Sequence, residues 1–294
     1  MKYNFGSILT GALLATSPAV TAIAQTPTPT LSPSDSTKAA DHRTLFTSKD
    51  LLLAGGFAGL TVLMFPADKS LAQRIRDPDL VSNKLFDRSA RGLELITAPG
   101  SYFIGGGMYA VGRLTHSATL ADIGWHGTEA ILLSSSITSL LKGTLGRSRP
   151  YVSNDTNPHD FQLFRGFGRG QQLKDFGSGD YQSFPSGHTT TAFAAAAAVT
   201  SEMRRVHPGS VWFVAPVMYG GASLVGLSRM YHNNHWASDV VIGAAIGTFG
   251  GLKVVRYSHL HPDNKLDKFV LHLSVTPNPE DGGTRLGFSL HPPE

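Results

Sequence analysis

Three short segments of this 294-residue chain carry charged and imidazole side chains where a helical interior has no need of them. Lys142-GTLGRS-Arg149-Pro150 closes one apolar stretch, and Pro185-Ser186-Gly187-His188 opens the next. Ser228-Arg229-MYHNN-His235-WAS-Asp239 leads into a third. Arg149 and Arg229 can each present a planar fork to phosphoryl oxygens, and Lys142 adds a compact point charge. Ser186 is a candidate N-cap, and the helix it starts would offer unpaired N–H groups and a positive dipole end to an anion. Gly187 lets that backbone approach the anion closely, and His188 falls in the first turn. His235 and Asp239, four apart, would share one helix face. A carboxylate on one imidazole nitrogen fixes the tautomer and frees the other nitrogen as nucleophile or base. The chemistry these residue types suit is phosphoryl binding and transfer.

Each piece alone has a plainer reading. Cations at helix ends offset the dipole, PSGH can be an ordinary turn and cap, and a His/Asp pair is commonly a local surface contact. The joint pattern is far more specific. Lys-x6-Arg-Pro, Pro-Ser-Gly-His and Ser-Arg-x5-His-x3-Asp occur in order on three helix-end segments. In this the chain resembles the type 2 phosphatidic acid phosphatase and vanadium haloperoxidase superfamily, in its bacterial phosphatase branch, over roughly residues 50–256. The resemblance implies an α-helical bundle and a metal-independent phosphatase acting on phosphomonoesters or lipid phosphates. It implies that His235 attacks phosphorus, that Asp239 orients it, and that His188 protonates the leaving oxygen and then assists water. Lys142, Arg149, Ser186, Gly187 and Arg229 would hold the phosphoryl oxygens. No cofactor or metal is implied, although vanadate could occupy the site as a phosphate analogue. A vanadium-dependent haloperoxidase and a lipid pyrophosphate phosphatase are the alternatives within the resemblance, and a non-catalytic anion-binding bundle is the alternative outside it.

Other polar residues near the pattern are not assigned to the site. His232 and His235 could form a metal pair, but no third ligand is evident. Trp125 and His126 could line the pocket, although His126 reads more plainly as a satisfied buried histidine, and Trp236 reads as packing. His159, Arg165, Arg169 and Lys174 lie on the long Tyr151–Phe184 connection, either solvated or near a leaving group. His259, His261, His272 and His291 read as tail surface.

The elements that must position these residues are six apolar stretches: Leu51–Ala67, Leu95–Gly112, Ile123–Leu141, Thr189–Ser201, Ser210–Ser228 and Val240–Leu252. Each is long enough for a helix and none alternates, so the expected fold is an all-α, six-helix bundle. Gly243, Gly247 and Gly251 continue the His235/Asp239 spacing and would let a neighbouring backbone come close. The charge-rich Asp68–Glu94 connection reads as a solvated helix without chemistry. Connections as long as Tyr151–Phe184 are often functional. Past Tyr257, alternation from Leu271 to Val275 and again in LGFSL predicts a short C-terminal β-hairpin.

Composition bounds the rest. With 41% hydrophobic residues the chain can build a core. The absence of cysteine excludes disulfides, thiolate metal sites and a Cys nucleophile. Net charge is only +4, which suits anionic substrates or a membrane surface rather than nucleic acid, and no obligate protein partner is evident. Residues 1–24 read as a signal peptide ending in Ala22-Ile23-Ala24, and 25–49 as a Pro/Thr/Ser-rich tether. The helical domain is expected over 50–258 and the tail over 259–294. Mean hydropathy near zero is low for a polytopic membrane protein. The apolar stretches fall short of the ~20 residues of a span, and the third contains His126 and Glu129. A cleaved leader followed by six spans would also put the motif-bearing connections on the cytoplasmic side. The expectation is therefore an exported protein of the periplasm or cell envelope, soluble or peripheral rather than integral.

Overall fold

The computed structural model describes residues 44–76, 78–168, 179–261, 264–267, 273–277 and 284–288. The leader, most of the tether, Arg169, Lys174, His272 and His291 lie outside them. The described chain is helical: α1 Ser48–Met64, α2 Asp68–Ile75, α3 Pro78–Val81, α4 Lys84–Thr97, α5 Gly100–Leu114, α6 Ala118–Leu145, α7 Gly187–Val206, α8 Val211–Tyr231 and α9 Ala237–Leu260. The count of six is corrected to nine α-helical segments among the described residues. The six apolar stretches map onto α1 and α5–α9, while the charged connection adds three amphipathic helices instead of one. In the tail, Leu273–Pro277 and Thr284–Phe288 run antiparallel, with Val275 opposite Leu286.

Local chemistry sets the ends of the longest helix. The Ser117 side chain accepts from the Leu120 N–H at the start of α6. Gly146, at φ 55°, ends it in the left-handed region. A Cβ on Gly146 would meet the Gln162 carbonyl, so glycine is required there twice over. At the start of α1, Lys253 of α9 reaches Asp50 and donates to the Leu45 carbonyl at 2.9 Å, which pins the two helices together.

α7 is the hub of the bundle and packs chiefly on α9, α8 and α6. Its contact with α9 is made backbone to backbone. Cβ atoms built on Gly243, Gly247 and Gly251 would meet the carbonyls of Ser186, Thr190 and Ala194 at 2.7, 2.2 and 2.6 Å. The core there is correspondingly small-sided, with Ala130, Ile131, Ala194, Ala198, Val254 and Val255 packed together.

The expectation of a soluble or peripheral bundle is overturned. Ser48–Ile75, Pro208–Tyr231 and Ala237–Leu260 are long and apolar enough to cross a membrane, at 28, 24 and 24 residues. At about 1.5 Å per residue each exceeds the ~30 Å hydrocarbon core. Among the described residues, much of the apolar surface of the first two has no protein partner: Leu52 is 77% and Trp212 79% exposed. Lipid is the solvent that such faces suit. These features point to an integral membrane protein. The helices run past their unbroken apolar stretches through serine, glycine and charged residues, and polar loops and tail dilute the mean hydropathy. His126, for its part, points into the bundle and is buried.

Candidate active site

The three motif segments meet at one end of the bundle. After Gly146 the chain turns outward and pairs with the far side of its own loop. Ser148 N–H donates to the Asp160 carbonyl, Arg149 N–H to Asp180, and Ser183 N–H to Arg147. This backbone lattice carries Arg149 to the end of the bundle, where its Nε donates to the Gly179 carbonyl at 2.7 Å and its terminal nitrogen to Asn234. Lys142, in the last turn of α6, donates to the Gln182 carbonyl at 2.5 Å. A Cβ on Gly187 would stand 3.6 Å from the Lys142 Cε, so the α7 N-terminus and the lysine face each other.

Ser186 occupies the N-cap position of α7, as expected, but its side chain makes no capping bond. Its hydroxyl accepts instead from Thr189 at 2.8 Å. The first-turn N–H groups of α7 are therefore left to whatever anion sits above them. Ser186 N–H donates to the Asp239 carbonyl at 3.0 Å and so ties the starts of α7 and α9 together. His188 lies in the field of Arg229, Glu94, Lys142 and Arg149.

His235 and Asp239 do not share a helix face. Trp236 is the N-cap of α9, His235 precedes it, and Asp239 is the third residue of the first turn. The Asp239 carboxylate caps α9 by accepting from the Trp236 N–H at 2.8 Å, and this brings it within 3.5 Å of His235 Nδ1. Catalytic hydrogen bonds are often long in unliganded sites, so this distance is compatible with an orienting role. His235 is 3% exposed. Burial, with Lys142 next in effect, holds its imidazole well below the usual histidine range, in the neutral form that a nucleophile requires.

Asp239 is also the centre of a buried network that the motifs do not announce. Arg147 is fully buried; it donates to Asp239 at 2.5 Å, to Ser238 Oγ at 2.7 Å and to Asp68 at 2.7 Å. Its guanidinium lies about equally close to the rings of Phe65 and Phe161, at 5.0 and 5.1 Å. Asp68 in turn accepts from the Ser238 N–H and Oγ, and the Ser183 hydroxyl donates to Asp239 at 2.5 Å. Asp239 is thus held as a carboxylate on a rigid mount. Arg147 sits two before Arg149 in the motif spacer, yet it turns to Asp68 and Asp239 while Arg149 reaches Gly179 and Asn234, and no sequence signal separates the two roles.

The Asp68–Glu94 connection, expected to be free of chemistry, contributes another unannounced residue besides Asp68. Glu94 of α4 pairs with Arg229 at 2.6 Å and with His232 Nδ1 at 2.8 Å, and His232 Nε2 reaches Asp87 at 3.2 Å. His232 therefore faces two carboxylates rather than joining His235 in a metal pair. On the long loop, Arg165 stacks on Tyr181 at 3.7 Å and His159 lies against Phe65 at 6.2 Å, both in packing roles. Trp236 is fully buried and donates to the Ser148 carbonyl.

Residues 124–262 match the model of the PAP2 superfamily, a range that contains all eight site residues. The lipid A 1-phosphatase of Porphyromonas gingivalis is 46% identical over 69 residues, which is 24% of this chain and 15% of that protein. The lipid A 1-phosphatase of Rhizobium johnstonii is 32% identical over 124 residues, covering 42% of each chain. The matches span less than half the length of these curated relatives. Among solved structures, a transmembrane PAP2-type phosphatidylglycerolphosphate phosphatase from Bacillus subtilis superposes with a TM-score of 0.52. It is 19% identical and covers 74% of this chain and 99% of that one. The likeness shows a shared fold.

Proposed function

We propose, from the premise that residues 124–262 are a domain of the PAP2 superfamily, that the protein is a phosphatase that removes phosphate from a membrane lipid by way of a phosphohistidine. The observation that carries the lipid reading is an apolar cavity of about 430 Å³ beside the phosphate cradle. Leu93, Thr191 and Val225 line it, and they lie next to Glu94 or one turn from His188 and Arg229. It continues inward between α5 and α6 past Ile104, Met108 and Ile123. A phosphate on the cradle would leave an attached acyl chain at the mouth of this cavity. Each methylene buried there contributes about 0.8 kcal/mol. The lipid A 1-phosphatase relatives support the same substrate class.

In the proposed reaction the His235 Nε2 lone pair forms a bond to phosphorus while the P–O bond to the lipid breaks. The departing oxygen takes a proton from His188. Asp239, fixed by Arg147 and Ser183, favours the charge that develops on His235. Lys142, Arg149 and Arg229 carry the charge on the phosphoryl oxygens, together with the N–H groups at Gly187 and His188. For Arg229 to do so its guanidinium must be shared between Glu94 and substrate. Neutral His188 then takes a proton from water, the water oxygen bonds to phosphorus, and the P–N bond breaks to release phosphate. The cationic side chains supply the role that a metal fills elsewhere, so no cofactor is assigned to the reaction; vanadate would compete as a phosphate analogue.

The test is phosphate release by detergent-solubilised protein in excess EDTA, with p-nitrophenyl phosphate, phosphatidate and lipid A as substrates. Lipid phosphates are expected to exceed p-nitrophenyl phosphate in kcat/KM by at least about 10²-fold, since a few buried methylenes suffice for that. His235→Ala should lower turnover by about 10⁴-fold or more. A folded wild-type protein that releases phosphate from none of the three, or a His235→Ala protein of undiminished rate, refutes the proposal.

A further inference from the structure

A second polar cluster lies at the far end of the same helices. His126 of α6, Glu202 of α7 and His259 of α9 are about 24, 21 and 30 Å along their helices from Lys142, His188 and Asp239. One ligand atom from each lies within 4.8 Å of the other two. Glu202 Oε1 is 2.6 Å from His126 Nδ1 and 2.9 Å from His259 Nε2. The two imidazoles stand edge to face, with centroids 5.3 Å apart. His126 and Glu202 are each only 2% exposed. We propose that this triad is a site for a divalent transition-metal ion of the zinc class, held by His126 Nδ1, His259 Nε2 and the Glu202 carboxylate.

Three observations favour an ion over a bare ion-pair cluster. The first is geometric. Bonds of about 2.0–2.2 Å in a tetrahedral arrangement separate ligand atoms by about 3.3 Å; the two imidazole–carboxylate separations reach this by opening less than an ångström, and the two imidazole nitrogens lie within 4.8 Å of each other. The second concerns the outer nitrogen of His126. Among the described residues Nε2 is buried without a hydrogen-bond partner and faces the Asp267 carboxylate at 3.7 Å. Asp267 is itself fixed by the Trp125 indole at 2.9 Å and the Asn264 amide at 2.5 Å. With a metal on Nδ1 the proton of His126 must reside on Nε2, aimed at that carboxylate, which is the usual support of a metal-bound histidine. The third is charge. Asp122 and Glu129 flank His126 on α6, and among the described residues a Glu129 oxygen is buried without a partner. Four carboxylates thus face two imidazoles, an excess that a doubly charged ion offsets. Two imidazoles and one carboxylate suit zinc-like ions rather than calcium or magnesium, which take oxygen ligands. At this distance from His235 the ion takes no part in phosphoryl transfer; it ties α6, α7, α9 and the Asp267 segment together.

The full chain in detergent, equilibrated with Zn²⁺ and then passed through metal-free buffer, is expected to keep one zinc per chain by elemental analysis. Chelation should lower Tm and Zn²⁺ should restore it, while the initial phosphatase rate at low temperature is unchanged. Co²⁺ bound in place of zinc should show the visible absorption of a four-coordinate site. His126→Gln and His259→Gln should each lose the metal, whereas His235→Ala should keep it. Wild-type protein that retains no zinc above the His259→Gln level overturns the proposal. So does wild-type protein with neither Co²⁺ absorption nor a Tm response, and this holds even if the variants do not fold.

Discussion

Burial and the Arg229 guanidinium both oppose a positive charge on His188, whose imidazole is pushed down to about 4, with Lys142 and Arg149 adding to the effect. A group depressed in this way is neutral at pH 7, yet the proposed acid must carry a proton. Above about pH 4 the protonated fraction of free enzyme falls tenfold for each pH unit. His235 is depressed as well and stays nucleophilic over the same range. The expected kcat/KM therefore declines with a slope near −1 as pH rises from about 5 to 8. The kcat profile should lie at higher pH, because a bound phosphate's negative charge raises the His188 pKa. Any slope that persists in His188→Ala belongs to the substrate; a wild-type profile that is flat, or rises with pH, refutes the assignment of His188 as acid. At this scale the eight motif residues were legible because type and spacing alone identify them. Arg147, Asp68 and Glu94 were not. Their partners lie as far as 170 residues along the chain, and nothing local marks a buried charge as paired.

The junction of α7 and α9 shows how an element transmits position to the site. Gly247 faces the Thr190 carbonyl so closely that an added methyl would meet backbone at 2.2 Å, which no rotamer change can relieve. Gly247→Ala is expected to destabilise the protein by about 1–3 kcal/mol and to lower turnover, since α7 carries Ser186 to His188 at its start. Gly55→Ala on α1, where nothing lies within 4 Å of the added carbon, is the control. It should leave Tm unchanged or slightly higher. Equal Tm values and equal rates for the two variants would show that close helix approach does not position the site. The period-four glycines were readable in advance because a stripe of small residues is itself a packing instruction. The splitting of Asp68–Glu94 into α2, α3 and α4 was not, since its charges looked solvated until their buried partners were in view.

On the scale of the whole molecule, solvent decides the fold's outer surface. α1 and α8 turn leucine, tryptophan and phenylalanine outward, including Leu51, Leu63, Trp212 and Phe213. Such faces are tolerated in acyl chains and cause aggregation in water. The protein is expected to remain in the membrane pellet through alkaline carbonate washing and to need detergent for extraction. Release into the carbonate supernatant would contradict the membrane assignment. Membrane crossing was not legible in the sequence because the apolar runs of these helices are interrupted by polar residues. A span tolerates serine, glycine and an inward-facing charge, and only the three-dimensional packing shows which way each residue points.

The Arg147 mount carries one further consequence, for where the working unit begins. The family match starts at residue 124, yet Arg147 shares its charge between Asp239 inside that range and Asp68 well before it. Glu94, the partner of Arg229, also lies upstream. A fragment cut to the matched segment would keep every motif residue and lose two of the counter-charges that hold those residues in place. Asp239 would then share a buried guanidinium that has lost its other acidic neighbour. Family boundaries follow what relatives have in common. Here the electrostatic boundary is wider and includes α2 and α4, so truncations, chimeras and transplanted motifs have to be designed to that wider border.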